Sequence, residues 1–214
     1  MRILLSFLFI LGNISASLGQ LDPKAEELLN KLSNKYEAIK SYKASFVYEL
    51  ENPQTKVSEK FKGEIVVKGL KFNINLGNQE IINNGKTVWT FLKEENEVTV
   101  ADYSPEDDEI SPTKIYSLYK NGYKYLWVEE EKSKSGALEV LDLVPDDKKK
   151  PFFKIKLWVN RKSMEIVKWR IFEKNGNRYN YVISEFSVNP KIEDTKFEFD
   201  ASKHPGVDVQ DLRN

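Results

Sequence analysis

Residues 61–91 read FKGEIVVKGLKFNINLGNQEIINNGKTVWTF, and the architecture follows from them. Leu70, Phe72, Ile74 and Leu76 are apolar at every second position, with Lys71, Asn73 and Asn75 between them. Side chains alternate faces along a strand, so this is a strand with one apolar and one wet face. Gly77-Asn78 and Asn84-Gly85 are turn pairs that accept positive φ. The stretch is therefore a run of hairpins. Beyond the second turn, Trp89 and Phe91 fall on one side of their strand. Such an aromatic face is either an ordinary core or the wall of a cavity, and alternation fits both.

The same period continues outward. Upstream, Tyr42, Ala44, Phe46, Tyr48 and Leu50 share a face, and Gly63 marks a place where a sheet can bend in the next strand. Downstream come Tyr123, Tyr125 and Trp127, then Leu138 to Val144, then Phe153, Ile155, Leu157 and Val159. Val167, Trp169 and Ile171 follow, then Tyr179, Tyr181 and Ile183, and Phe197 with Phe199 as a last short strand; the tail after them reads as loop. Two segments break the period. Asp22-Pro23 opens a helix whose stripe is Ala25, Leu28, Leu29, Leu32, Tyr36 and Ile39. Ser111-Pro112 opens a shorter one with Ile115, Leu118 and Tyr119, stopped by Gly122. Between meander and second helix, YSPEDDEI at 103–110 reads as an acidic loop. The predicted class is mainly β (α+β): an unclosed, curled antiparallel β-barrel of about eleven strands, because long meanders with one apolar face curl to cover it. The helices lie over its open side, above either a packed core or a cavity.

Composition narrows the function. Met1-Arg2, the apolar run Ile3 to Leu11 and the small residues of Ser17-Leu18-Gly19 read as a secretory signal over 1–19, leaving a single domain over 20–214. The apolar run is too short for a membrane anchor. Basic and acidic side chains number 33 each, with no basic stripe, so no nucleic-acid partner is expected. There is no cysteine and one histidine. The chain thus lacks the cysteine that would carry an N-terminal lipid anchor, and it lacks thiolate metal sites and the common nucleophile–base pairs. No P-loop, G-x-G-x-x-G, G-x-S-x-G or H-E-x-x-H occurs. A non-enzyme is expected, with no catalytic residue, no metal and no cofactor. Aromatic residues are plentiful, with 12 Phe, 10 Tyr and 4 Trp, many of them on apolar strand faces. Curled sheets commonly hold ligands between such faces.

Several stretches resemble the periplasmic outer-membrane lipoprotein carrier (LolA) family. Tyr42-Lys43-Ala44-Ser45-Phe46 is similar to its first-strand pattern, and Gly63 to Phe72 to its G-x-L-x-V-K-R-P-x-x-F segment. Asn84-Gly85-Lys86-Thr87-Val88-Trp89 resembles its D-G-K-T-L-W, and Leu143-Val144-Pro145 its L-x-P. Phe197-Glu198-Phe199 and Pro205-Gly206-Val207-Asp208-Val209 resemble its closing pattern. The matches run in order over nearly all of 20–214. The resemblance implies an unclosed antiparallel barrel with a helical lid over a hydrophobic cavity, and a periplasmic carrier; with no cysteine and no membrane-length apolar stretch, it is expected to be soluble, unanchored and a monomer. It would take acylated lipoproteins from an inner-membrane ABC-type lipoprotein-releasing transporter to an outer-membrane acceptor or receptor. The same fold also implies an alternative, a lipid-binding or sensor/chaperone-like module with another cargo or a protein partner. The expected acyl-chain cavity is walled by Phe46, Tyr48, Phe72, Ile74, Leu76, Trp89 and Phe91, with Leu29, Leu32, Ile115 and Leu118 as lid. One departure stands out. Val67-Lys68-Gly69-Leu70 lacks the family's lid-holding Arg, and Lys68 or Lys71 is the available substitute, without the planar fork of an arginine.

Overall fold

The computed structural model describes residues 22–104 and 114–213. The predicted signal segment, most of the acidic loop and Ser111-Pro112 lie outside the described residues. Helix α1 is Pro23–Glu37. The strands are β1 Ser41–Asn52, β2 Val57–Lys68, β3 Lys71–Leu76, β4 Gln79–Asn83, β5 Thr87–Leu92 and β6 Glu97–Asp102. They continue as β7 Tyr123–Ser133, β8 Gly136–Pro145, β9 Phe152–Asn160, β10 Glu165–Glu173, β11 Arg178–Val188 and β12 Asp208–Asp211. All twelve form one sheet in the order β12-β6-β5-β4-β3-β2-β1-β11-β10-β9-β8-β7. The end strands do not pair with each other, so the sheet is curled but not closed. Every neighbouring pair is antiparallel except β12–β6. No helix among the described residues is long and apolar enough to cross a membrane.

Two local meanders, β2 to β6 and β7 to β11, meet across β1. That strand pairs with β2 from Ser41↔Lys68 to Asn52↔Val57, and with β11 from Tyr42↔Val188 to Glu51↔Arg178. Phe46 sits directly opposite Gly63, and its ring lies over that glycine. The register of β1 on β11 slips at the same place, between Ser45 and Phe46. A glycine under an aromatic ring beside a bulge is a site of strong local bending.

Helix α1 begins where the sequence places it. The Asp22 carboxylate accepts from the N–H groups of Lys24 (2.9 Å) and Ala25 (3.2 Å). Its other oxygen accepts from the Trp127 N–H in β7 at 2.9 Å, so one side chain both caps the helix and ties it to the sheet edge. The Lys24 ammonium lies 3.2 Å from the Trp127 ring centroid. The Trp127 indole N–H donates to Glu139 at 2.6 Å. Glu139 is buried, and burial alone pushes its carboxyl up. Hydrogen bonds from Arg161 and Trp127 outweigh that and hold it below the usual range. At the far end of the helix, the Tyr36 hydroxyl accepts from the buried Ile166 N–H at 3.1 Å, and Lys35 bonds Ser163 O (2.5 Å) and Glu165 (2.7 Å). Leu29 and Leu32, at 1% and 0% exposure, pack in one cluster with Leu141, Leu143, Ile155 and Leu157.

Asp22 supports the fold in a pH-dependent way. The Trp127 N–H, opposed by burial and joined by the Ala25 and Lys24 N–H groups, holds its carboxyl below the ordinary aspartate value of 3.8. A lowered folded value means that the stabilisation is complete above the ordinary value and lost as the pH falls through the lowered one. Asp22→Ala should cost about 1–2 kcal/mol at neutral pH in urea denaturation. The gap between variant and wild type should close in strong acid; a gap independent of pH would contradict this account of Asp22.

The second helical segment departs from its expected form. Over its described part it is a turn from residue 114 followed by a 3-10 turn, Leu118–Lys120. The Ser117 hydroxyl and N–H both bond to Lys114 O, at 3.0 and 2.8 Å, and this side-chain competition favours a tight turn over an α-helix. The segment is carried on α1: Tyr119 OH donates to Asn30 at 2.7 Å, and Lys120 pairs with Glu37 at 2.6 Å. The chain's end departs too. Phe197 lies in a 3-10 turn, Asp194–Phe197, and the strand is instead Asp208–Asp211, parallel to β6.

Candidate ligand cavity

The concave face encloses a cavity of about 890 Å³, near the top of the ~300–1,000 Å³ found for small-molecule pockets. From the first half of the sheet it is lined by Tyr42, Ala44, Phe46 and Tyr48 of β1, Ile65 of β2, and Phe72, Ile74 and Leu76 of β3. Gln79, Ile81 and Val88 extend this wall. From the second half come Ile166, Trp169, Ile171 and Glu173 of β10, with Tyr179, Tyr181, Ile183 and Phe186 of β11. Tyr36 of α1 and Ile115 close the near end, where Tyr36 stacks on Tyr116 with centroids 5.1 Å apart. Side chains at that end, Tyr36, Tyr42, Ile115 and Ile166, are buried, whereas Tyr48, Ile74, Leu76, Glu173 and Tyr179 are half-buried. Asp102 and Ser104, also in the lining, are exposed. Burial pushes the hydroxyls of Tyr36, Tyr42 and Tyr181 far above the ordinary tyrosine value, so they stay neutral at any physiological pH.

The predicted wall residues divide in two. Phe46, Tyr48, Phe72, Ile74 and Leu76 line the cavity; Trp89 and Phe91 do not. Val88 faces the cavity, so the alternation of β5 sends Trp89 and Phe91 to the convex face. Phe91 there contacts Phe199 (5.2 Å) and His204 (4.4 Å), and His204 stacks on Phe199 (5.0 Å, 10°). The C-terminal segment lies over this face, held by Asn73 to Lys196 O and Asn84 to Glu198. The predicted lid divides as well. Ile115 lines the cavity, but Leu29, Leu32 and Leu118 pack with the core of β7 to β10 and do not reach it. From the stripe of α1, the residue that reaches the cavity is Tyr36.

Lys68 and Lys71 do not stand at the lid. Both bond to Asp194, at 3.0 and 3.3 Å, and Lys68 also reaches Ile192 O at 3.2 Å. They hold the C-terminal segment, and neither lines the cavity. The wall contributed by β10 and β11 is absent from the expected site, although Trp169, Tyr181 and Ile183 alternate in the sequence as plainly as β3 does.

Residues 37–200 match the family described as outer membrane lipoprotein carrier protein LolA. No curated protein matches the chain. Among solved structures, an uncharacterized conserved protein from Thermus thermophilus is similar over 89% of this chain and 99% of its own, at 12% identity and a TM-score of 0.59. A DUF1329 family protein from Desulfovibrio piger is similar over 86% and 99%, at 13% identity and 0.50. A LolA superfamily protein from Nitrosomonas europaea covers 82% and 97%, at 14% identity and 0.44. At such identities the likeness to the first two is one of fold.

Proposed function

Because the chain belongs to the outer membrane lipoprotein carrier protein LolA family, we propose that it is a periplasmic carrier that binds the acyl chains of lipoproteins and moves them from the inner to the outer membrane. The observation that carries this reading is the apolar cavity of about 890 Å³ under an unclosed sheet. At roughly 30 Å³ per non-hydrogen atom, the share of a liquid water, it has room for about 30 such atoms, or one to two acyl chains. Each buried methylene favours binding by about 0.8 kcal/mol. Phe46, Tyr48, Phe72, Ile74 and Leu76 form the acyl-chain wall in this reading, with Ile65, Ile81 and Tyr181. Ile115 and Tyr36 cover it. Residues 1–19 direct export, and 20–214 act as one soluble domain and a monomer. The cargo comes from an ABC-type lipoprotein-releasing transporter and leaves to an outer-membrane acceptor. The protein performs no chemistry on it.

The test is purification from the periplasm followed by mass spectrometry of whatever co-purifies. Acylated peptides at one per protein are expected, as is displacement of N-phenyl-1-naphthylamine, a neutral apolar fluorophore, by long-chain amphiphiles. Recovery of no acylated molecule, together with no fluorophore binding, would end the carrier reading. Recovery of a protein without acyl chains would favour a sensor or chaperone-like module instead.

A further inference from the structure

The cavity is uneven in chemistry. The whole chain balances 33 basic against 33 acidic side chains, yet no lysine, arginine or histidine is among the described residues that line the cavity. The two charged residues that do line it, Asp102 and Glu173, are both acids. Glu173 is half-buried at the end of β10, beside Tyr179. Its carboxylate accepts from Asn175 Nδ2 (2.9 Å), Asn177 Nδ2 (3.5 Å) and Tyr179 OH (3.3 Å), all neutral donors. No cation pairs with it among the described residues. Beside it lies a continuous aromatic surface across β2, β1, β11 and β10. Trp169 stacks on Tyr181 (4.6 Å, 12°), Tyr48 contacts Tyr181 (5.2 Å) and Tyr179 (6.2 Å), and the exposed Phe61 continues the row at 6.2 Å from Tyr48. Aromatic faces beside a carboxylate are the surroundings that attract organic cations and repel anions.

Resting on the acyl-carrier reading, we propose that this cavity selects acyl amphiphiles with a cationic ammonium group beside the chain, seated at Tyr48, Tyr179 and Glu173. An anionic head at the same place would face Glu173 with no basic side chain in the lining to offset it. The ammonium is supplied either by the head of a lipid or by basic residues next to an acylated one. Both present the same chemistry to the site.

Competition against bound N-phenyl-1-naphthylamine separates these cases. One arm uses dodecyltrimethylammonium, dodecyl maltoside and dodecanoate below their micelle concentrations. The other uses palmitoyl-Ser-Lys-Lys and palmitoyl-Ser-Glu-Glu. The cationic member of an arm should displace the fluorophore at about tenfold lower concentration than the anionic one. Glu173→Gln and, independently, Tyr48→Leu should each bring that ratio to within about threefold. A preference in the first arm assigns the charge to the lipid, and one in the second arm assigns it to the peptide; either supports the proposal. Equal displacement by cation and anion in both arms, or a preference untouched by both variants, overturns it while leaving the carrier reading intact. Failure of every competitor, the maltoside included, overturns the carrier reading and this inference with it.

Discussion

Replacing Gly63 by valine is expected to weaken binding of an apolar fluorophore by tenfold or more and to cost about 1–3 kcal/mol of stability. A Cβ on Gly63 would stand 2.4 Å from Cζ and 2.7 Å from Cε2 of Phe46, closer than carbon atoms approach. The backbone there belongs to the middle of β2, paired on both sides, so it is the ring that must move. Phe46 is 6% exposed and lines the cavity. Its way out from over Gly63 is into the space a ligand would use. The second substitution that checks this is Phe46→Ala. It removes the obstacle, so Gly63→Val made in the Phe46→Ala background should cost far less affinity than in the wild type. Residues in direct contact are the ones whose effects fail to add. Additive losses would mean that Gly63 matters for some reason other than the ring above it.

The second large effect separates core from lid. Leu32→Ala should lower stability by about 2–5 kcal/mol, the range for deleting a buried leucine side chain. Ligand affinity, measured on the folded protein, should stay within about threefold. Leu32 is fully buried in the cluster it shares with side chains of β7 to β10, and it does not line the cavity. A residue of a mobile lid would behave in the opposite way, with little change in stability and a clear change in affinity. The distinction matters because α1 is fastened at both ends, by Asp22 to Trp127 and by Tyr36 to Ile166. Urea denaturation and fluorophore titration on the same sample give both readings.

Much of this architecture is legible in the sequence, and its failures have physical causes. The start of α1 follows from Asp22-Pro23, and the cavity faces of β1 and β3 follow from strict alternation. Trp89 and Phe91 misled because β5 is covered on both sides. The wet face that normally orients a strand is missing where the C-terminal segment lies on Phe91. Bulges are the second cause. The register of β10 on β9 shifts between Ile166 and Lys168 and again between Phe172 and Glu173. So Ile166, not Val167, faces the cavity, and Phe152 turns inward while Phe153, 49% exposed, meets Phe172 outside. A single inserted residue reverses every later assignment, and nothing in composition marks it. For α1, the stripe showed which side is apolar but not what it meets. The helix runs along the core of β7 to β10, and only its last turn arrives at the cavity.

The pairing of β1 with β11 joins residue 42 to residue 188 and residue 51 to residue 178. All other antiparallel pairs link strands that are neighbours in sequence. Each meander can zip up locally, but this one seam requires closing a loop of most of the chain, which is the slow kind of contact in folding. The cavity has one wall on either side of that seam. Neither meander encloses the cavity by itself, and the cavity comes into being only when the two halves of the polypeptide join.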